Sequence, residues 1–238
     1  MIEATQAGVV KSRMNRTTIA TAIALLFHAA GFIGMFTSKQ SWFIANTPLN
    51  LLLMFILILW THPGKNFSFF LFVFVAFAVG MVTEMIGVNT SLLFGQYEYG
   101  KVLGKRVFNV PWLIGLNWIT VIYCCGIVIS QMQNWFFSRS AAVQGLLSPK
   151  LQFISFITDG AMLATFFDFI LEPVAVKFGY WTWLENGSIP VSNYLCWFTI
   201  SALLMTVFKL LSFSKHNQFA VHLLIIELLF FAALRTFL

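Results

Sequence analysis

The sequence predicts an all-α, polytopic membrane helix bundle of about seven transmembrane helices with two aromatic interfacial loops. Three observations predict it. Of 238 residues only 14 are Lys or Arg and 8 Asp or Glu, so 9% carry full charge, against about 25% in an ordinary soluble domain. Hydrophobic residues make up 59% of the chain, with 28 Phe and 8 Trp, and the mean hydropathy is +0.85. Apolar runs of roughly twenty residues, enough to cross ~30 Å of hydrocarbon, recur along the chain without period-two alternation. So few charges cannot cover the surface of a soluble fold of this length. A disordered chain, a coiled coil and a soluble nucleic-acid binder are excluded. A β-barrel needs alternation, so the backbone polar groups must be paired inside helices.

Residues 1–16 form a polar N-terminal tail with Lys11, Arg13 and Arg16. No small-residue cleavage site follows a short apolar core, so a removable signal peptide is not expected. The spans are read at 17–36, 44–61, 67–87, 110–131, 151–171, 190–211 and 218–237. With no repeat, low-complexity tract or linker, residues 1–238 read as a single integral membrane domain. Lys65, Arg139, Lys150, Lys209 and Lys215 join the tail's three basic residues on one side of the membrane. The other side holds Lys39, Lys101, Lys105, Arg106, Lys177 and Arg235. Eight against six orients the N-terminus to the cytoplasm. The net charge of +6 is thus loop charge at the membrane surface, and no nucleic-acid partner is expected. Cys124, Cys125 and Cys196 lie inside apolar runs and read as packing residues. Two connections, 88–110 and 177–189, are rich in Gly and aromatics. They read as an aromatic belt at the interface, or as re-entrant or lid segments over a pocket between helices.

The informative residues are the acids within the spans. An acid at the bilayer centre costs about 2.5–3.5 kcal/mol on insertion scales, and no Lys or Arg lies deep in a span to pair with one. An unpaired carboxyl avoids that cost by keeping its proton. It is then a proton donor at neutral pH. Glu84 sits between Gly80 and Gly87 on one helix face, which lets another helix approach and turns the carboxyl inward. Asp168 and Glu172 are four residues apart, about 40° around the helix. Pro173 is expected to end or kink that helix. Two carboxyls so close split their titrations, one protonated while the other ionises, as an acid and a base require. Asp159 faces nearly the opposite way and reads as structural. Glu227 reads as a polar contact between helices, and His28 as an interhelical histidine with a partner.

Mg²⁺-dependent phosphoryl transfer lacks its motif here. The four His (28, 62, 216 and 222) are scattered, which disfavours a redox metal site. The last span has no Lys for a retinal Schiff base. A dry acid among aromatic walls suits a different reaction. It can protonate an alkene of a membrane-dissolved polyene and shelter the carbocation by cation–π attraction. Captured by water, the cation gives a tertiary alcohol; captured by a double bond, it gives a ring.

The run Phe94-Gly95-Gln96-Tyr97-Glu98-Tyr99, with Leu103-Gly104 and Val110-Pro111 after it, resembles a signature of the carotenoid-biosynthesis membrane proteins. These include the carotenoid 1,2-hydratases of the bisanhydrobacterioruberin or γ-carotene hydratase type. The same resemblance holds for Asp168-Phe169-Ile170-Leu171-Glu172-Pro173, Gly179-Tyr180-Trp181-Thr182-Trp183, Ile189-Pro190-Val191-Ser192-Asn193-Tyr194 and Trp197. It covers about 80–200; the family form has Asp-Pro where this chain has Glu172-Pro173. It implies a hydro-lyase that needs no cofactor or metal and adds water across the terminal C1=C2 bond of an acyclic ψ-end group. On that expectation Glu84, Asp168 and Glu172 are catalytic. Phe94, Gly95, Tyr97, Tyr99, Trp112, Asn117, Trp181, Trp183 and Asn193 contact substrate or hold water. The implied partners are a membrane-dissolved carotenoid, the lipid bilayer and other enzymes of the carotenoid pathway, and the implied location is a bacterial cytoplasmic membrane. A lycopene-type cyclase and a non-catalytic carotenoid-binding or transport protein are the alternatives. A passive binder, however, has no use for paired membrane acids.

Overall fold

The computed structural model describes residues 15–138, 148–185 and 187–237. Most of the expected N-terminal tail, and Arg139, lie outside the described residues. Helix α1 spans Arg16–Met35, started by the Asn15 side chain, which accepts from Thr17 N at 3.4 Å. A short α2 (Gln40–Ala45) leads into α3 (Thr47–Thr61), then α4 (Phe67–Thr90), capped by Asn66 on Phe69 N at 2.9 Å. Next come α5 (Leu113–Ser138), α6 (Pro149–Lys177), α7 (Val191–Leu210) and α8 (Gln218–Phe237). Several of the starts follow the expected chemistry, with Asn or Ser at the cap or Pro in the first turn.

Among the described residues six helices are long and apolar enough to cross a membrane, not seven. The run read as a span at 44–61 divides at Asn46, whose side chain donates back to Trp42 O at 2.8 Å. Its second part, α3, has 15 residues, or about 22 Å, which is short of the hydrocarbon thickness. The chain still reverses direction at each long connection. Helix α1 lies parallel to α8, fixed by Thr21 Oγ1 on His222 Nδ1 at 2.8 Å. Helix α5 runs through the middle, buried on every side for most of its length.

Pro173 neither ends nor breaks α6, which continues to Lys177. A proline removes the N–H that would bond the carbonyl four residues earlier, here Phe169. That oxygen instead accepts from Arg235 Nη1 at 2.8 Å, and the guanidinium lies 4.5 Å over the Phe169 ring. Helix α8 thus supplies the missing donor, as backbone at membrane depth demands.

The two aromatic connections pair with each other. Strand β1 (Tyr97–Tyr99) is antiparallel to β4 (Trp181–Trp183), with Tyr97 opposite Trp183 and Tyr99 opposite Trp181. Alternation puts those four rings on the inner face and Glu98 and Thr182 on the outer. Between them β2 (Arg106–Val107) and β3 (Val110–Pro111) make a hairpin. Its central Phe108 and Asn109 both have positive φ, 47° and 68°, as a two-residue primed turn requires. Arg106 ties it down, donating to Tyr99 O and Gly100 O, each at 2.6 Å.

At the opposite end a second polar knot closes the bundle. The Asn217 amide donates to Tyr123 Oη at 3.1 Å, and the same hydroxyl is hydrogen-bonded to His62 Nδ1, 2.6 Å away. His62 is stacked on Phe69 at 3.7 Å, and its Nε2 has no partner among the described residues. Burial, and then Lys65 and Lys215, push His62 down to about 4. A histidine held neutral in the fold adds stability above its ordinary value near 6.5, and that stability is lost as pH falls towards 4. The detergent-solubilised protein is expected to lose more thermal stability between pH 7.5 and 4.5 than a His62→Phe variant does. Equal losses in the two would show that His62 is not the responsible group.

Candidate functional site

Three carboxyls meet just beneath the β1–β4 pair. Glu84 comes from α4, and Asp168 and Glu172 from successive turns of α6; their exposures are 5%, 1% and 3%. Gly80 makes the approach possible. A Cβ there would lie 2.5 Å from the Trp118 ring, so only glycine lets α5 bring that indole beside Glu84. Gly87 does the same for Phe94 and the Tyr97 hydroxyl, which would meet a Cβ at 2.8 and 2.9 Å.

Each acid has a different set of donors. Glu84 Oε2 accepts from Tyr97 Oη at 2.5 Å and Tyr99 Oη at 2.7 Å, while its Oε1 accepts from Trp118 Nε1 at 3.0 Å. Glu172 Oε2 accepts from the indoles of Trp181 and Trp183 at 3.0 and 3.1 Å. The Asn193 amide bridges Asp168 Oδ2 at 2.8 Å and Glu172 Oε1 at 3.4 Å. Among the described residues no donor reaches Asp168 Oδ1. Burial, and then the nearby Glu84, push the Tyr97 and Tyr99 phenols far up, so both keep their protons and donate.

These groups enclose a cavity of about 30 Å³, lined also by Phe94, Ile114, Asn117, Leu171 and Trp197. That is room for one or two waters. Trp118 and Trp197 stack in its wall, centroids 4.0 Å apart and 12° from parallel. A second cavity of about 520 Å³ shares Ile114, Asn117, Leu171 and Trp181 with the first. Its other walls come from α1, α2, α3, α6 and α8 and are mostly apolar. Leu26, Trp42 and Leu49 on its rim are exposed, so it opens sideways through the face of the bundle that meets lipid.

Of the expected site residues, Glu84, Asp168, Glu172, Phe94, Tyr97, Tyr99, Asn117, Trp181, Trp183 and Asn193 all line the small cavity. Gly95 and Trp112 do not. Gly95 sits behind it with φ 127°, where an added Cβ would lie 2.7 Å from Pro190. Trp112, 37% exposed, borders neither cavity. It immediately precedes α5, ahead of that helix's first inward residues. Asp159 is bonded within its own helix and accepts from Ser155 Oγ at 2.7 Å. Trp118 and Trp197 escape the sequence reading as site residues; the available signal is Gly80, one turn from Glu84, which anticipates a bulky neighbour. Among the described residues no group of three or more His, Cys, Asp or Glu is arranged to hold a metal ion.

The arrangement combines a carboxyl with a free oxygen, two carboxyls held by fixed donors, aromatic faces and space for water. It is chemically suited to moving a proton onto and off an apolar substrate. A family model described as carotenoid biosynthesis protein matches residues 45–238. No curated protein and no solved structure matches the chain.

Proposed function

We propose that this chain, which belongs to the carotenoid biosynthesis protein family, is a carotenoid hydratase acting on an acyclic ψ-end carotenoid drawn from the bilayer. One observation carries the reading: the small acid cavity adjoins a wide apolar cavity that opens to lipid. A polyene entering from the membrane would lie in the wide cavity, with its tip at the wall the two cavities share, facing the carboxyls.

The donor pattern supports the division of roles. An indole N–H can only donate, so the oxygens facing Trp118, Trp181 and Trp183 must accept, which suits ionised Glu84 and Glu172. Asp168 keeps an oxygen free for a proton. It delivers that proton to C2 of the terminal C1=C2 bond, leaving a tertiary cation at C1. The Trp118–Trp197 stack and the inner face of β1–β4 shelter the cation, at about 0.5–2 kcal/mol per ring, and the Glu84 carboxylate opposes its charge. Asn117 and Asn193 hold a water for attack on C1. Glu172 takes the proton the water loses and hands it back to Asp168 one turn away. The net change is addition of one water. The proposed location is the bacterial cytoplasmic membrane, and the excess of Lys and Arg on the N-terminal side supports a cytoplasmic N-terminus.

Expression in cells that accumulate lycopene tests the reading. A product heavier by about 18 mass units (one water) that takes its oxygen from ¹⁸O-labelled water is expected. An isobaric ring product would make the protein a cyclase, and pigment bound but unchanged would make it a carrier.

A further inference from the structure

The end of the bundle opposite the acid cavity gathers basic side chains from separate parts of the chain. Asn66 donates to Ser212 O at 2.8 Å, and Asn217 donates to Thr61 Oγ1 at 3.2 Å. Those bonds clamp the turn between α3 and α4, which carries Lys65, against the loop after α7, which carries Lys215. Lys65 and Lys215 lie close enough for both charges to act on His62. Lys209 stands on the last turn of α7. Lys215 Nζ is 3.0 Å from the centroid of the Phe213 ring and 4.3 Å from that of Phe208. Lys209 Nζ is 4.5 Å from the centroid of Phe156, which stacks on Phe208 at 5.9 Å. Two ammonium groups thus rest on one aromatic floor.

A ring face attracts a cation but does not cancel its charge. An ammonium has three donors, of which Lys215 gives one to Leu211 O at 2.8 Å. No carboxylate among the described residues offsets Lys209 or Lys215. Asp159, one turn beyond Phe156 on α6, accepts instead from Ser155 of its own helix. Burial, and then the Lys209 charge, push Lys215 down to about 7; a bound anion would favour its charged form. The neighbouring surface is apolar, with Leu151 and Ile154 of α6 and Leu203 and Leu210 of α7 all exposed. Cations bordering an exposed apolar surface stand where a bilayer lipid keeps its headgroup. We infer that Lys209 and Lys215, with Lys65 beside them, hold the phosphate of an anionic phospholipid whose acyl chains lie along the exposed apolar surface of α6 and α7. A soluble phosphate would meet the same ammonium groups and leave that apolar surface uncovered. The site is separate from the acid cavity and does not depend on the reaction proposed for it.

Phosphatidylglycerol and phosphatidylcholine with the same acyl chains, offered in equal amounts to the protein in neutral detergent, test the site, with bound lipid counted by native mass spectrometry. Phosphatidylglycerol is expected to be favoured about tenfold, as two lysines at an anionic headgroup allow. Replacing both Lys209 and Lys215 by Gln should bring the ratio close to one. Replacing both Lys101 and Lys105 by Gln removes the same charge elsewhere and should keep the ratio. Lys209→Gln alone changes an exposed side chain and should lower the ratio about threefold, with Lys209→Arg keeping it, so the site remains testable if the double variant fails to fold. Equal binding of the two lipids to the native protein overturns the inference. So does a ratio that survives loss of Lys209 and Lys215, or one that falls as far without Lys101 and Lys105, since net charge alone would then explain it. Inorganic phosphate in large excess should leave phosphatidylglycerol bound; full displacement would make the occupant a free phosphate and overturn the lipid assignment.

Discussion

An Asp168→Asn protein is expected to fold, seat the polyene and make hydrate about 10²–10⁴-fold more slowly, the usual contribution of a positioned general acid. The substitution preserves shape and the existing bond, because the carbonyl of the new amide can accept from Asn193 as Asp168 Oδ2 does at 2.8 Å. It removes only the acidic proton on the oxygen that no donor covers. Lost activity with unchanged thermal stability and unchanged carotenoid binding would locate the defect in proton delivery. The hydrate yield per cell, normalised to folded protein, is the measurement. Native yield from this variant would remove Asp168 from the mechanism. Glu84→Gln is a milder perturbation of the same cavity. A glutamine can turn its carbonyl to the Trp118 N–H and its amide to the two tyrosine oxygens, which can accept. It keeps the packing, loses the negative charge opposite the cation and leaves the Tyr97 and Tyr99 hydroxyl hydrogens without the oxygen they donate to.

The bundle was legible because hydropathy is a cumulative signal: roughly twenty apolar residues announce a span whatever their order. Where the prediction slipped, a single side chain decided. Asn46 splits 44–61 through one bond to Trp42 O, and a window of that length still reads as apolar. Pro173 looks like a helix end until Arg235, more than sixty positions away, satisfies Phe169 O; such long-range compensation has no local signature. The β1–β4 pair was written in the sequence as Tyr97-Glu98-Tyr99 and Trp181-Thr182-Trp183. Three residues are too few to show a period, and both segments looked like interfacial aromatics. The three acids could be named from their cost in a membrane. Their donors could not, since Trp118, Tyr97 and Tyr99 reach Glu84 from two different segments. Glu227 shows the limit of that same argument. Its burial predicted a protein partner, whereas the fold aims it into a cavity.

Replacing Glu172 by Gln separates the two halves of the proposed reaction. The carbonyl of the glutamine can still accept from the indoles of Trp181 and Trp183, and the only bond set at risk is the 3.4 Å approach of Asn193. The cavity should therefore survive with its acid in place and its base removed. Asp168 would go on protonating C2, but a water attacking C1 would lack the base that Glu172 places beside it. The cation would then collapse by returning a proton to Asp168. In deuterated water the proton delivered is a deuteron, and the one returned can be a hydrogen from C2 or a terminal methyl. Recovered carotene is thus expected to gain deuterium while hydrate falls about 10²–10³-fold. Asp168→Asn should give neither label nor hydrate, because no cation forms. Hydrate made at the native rate by Glu172→Gln would show that water needs no base here. Loss of both hydrate and label would make Glu172 part of proton delivery instead. Two carboxyls one turn apart can divide acid and base work only if they fail separately, and the isotope reports each failure by itself.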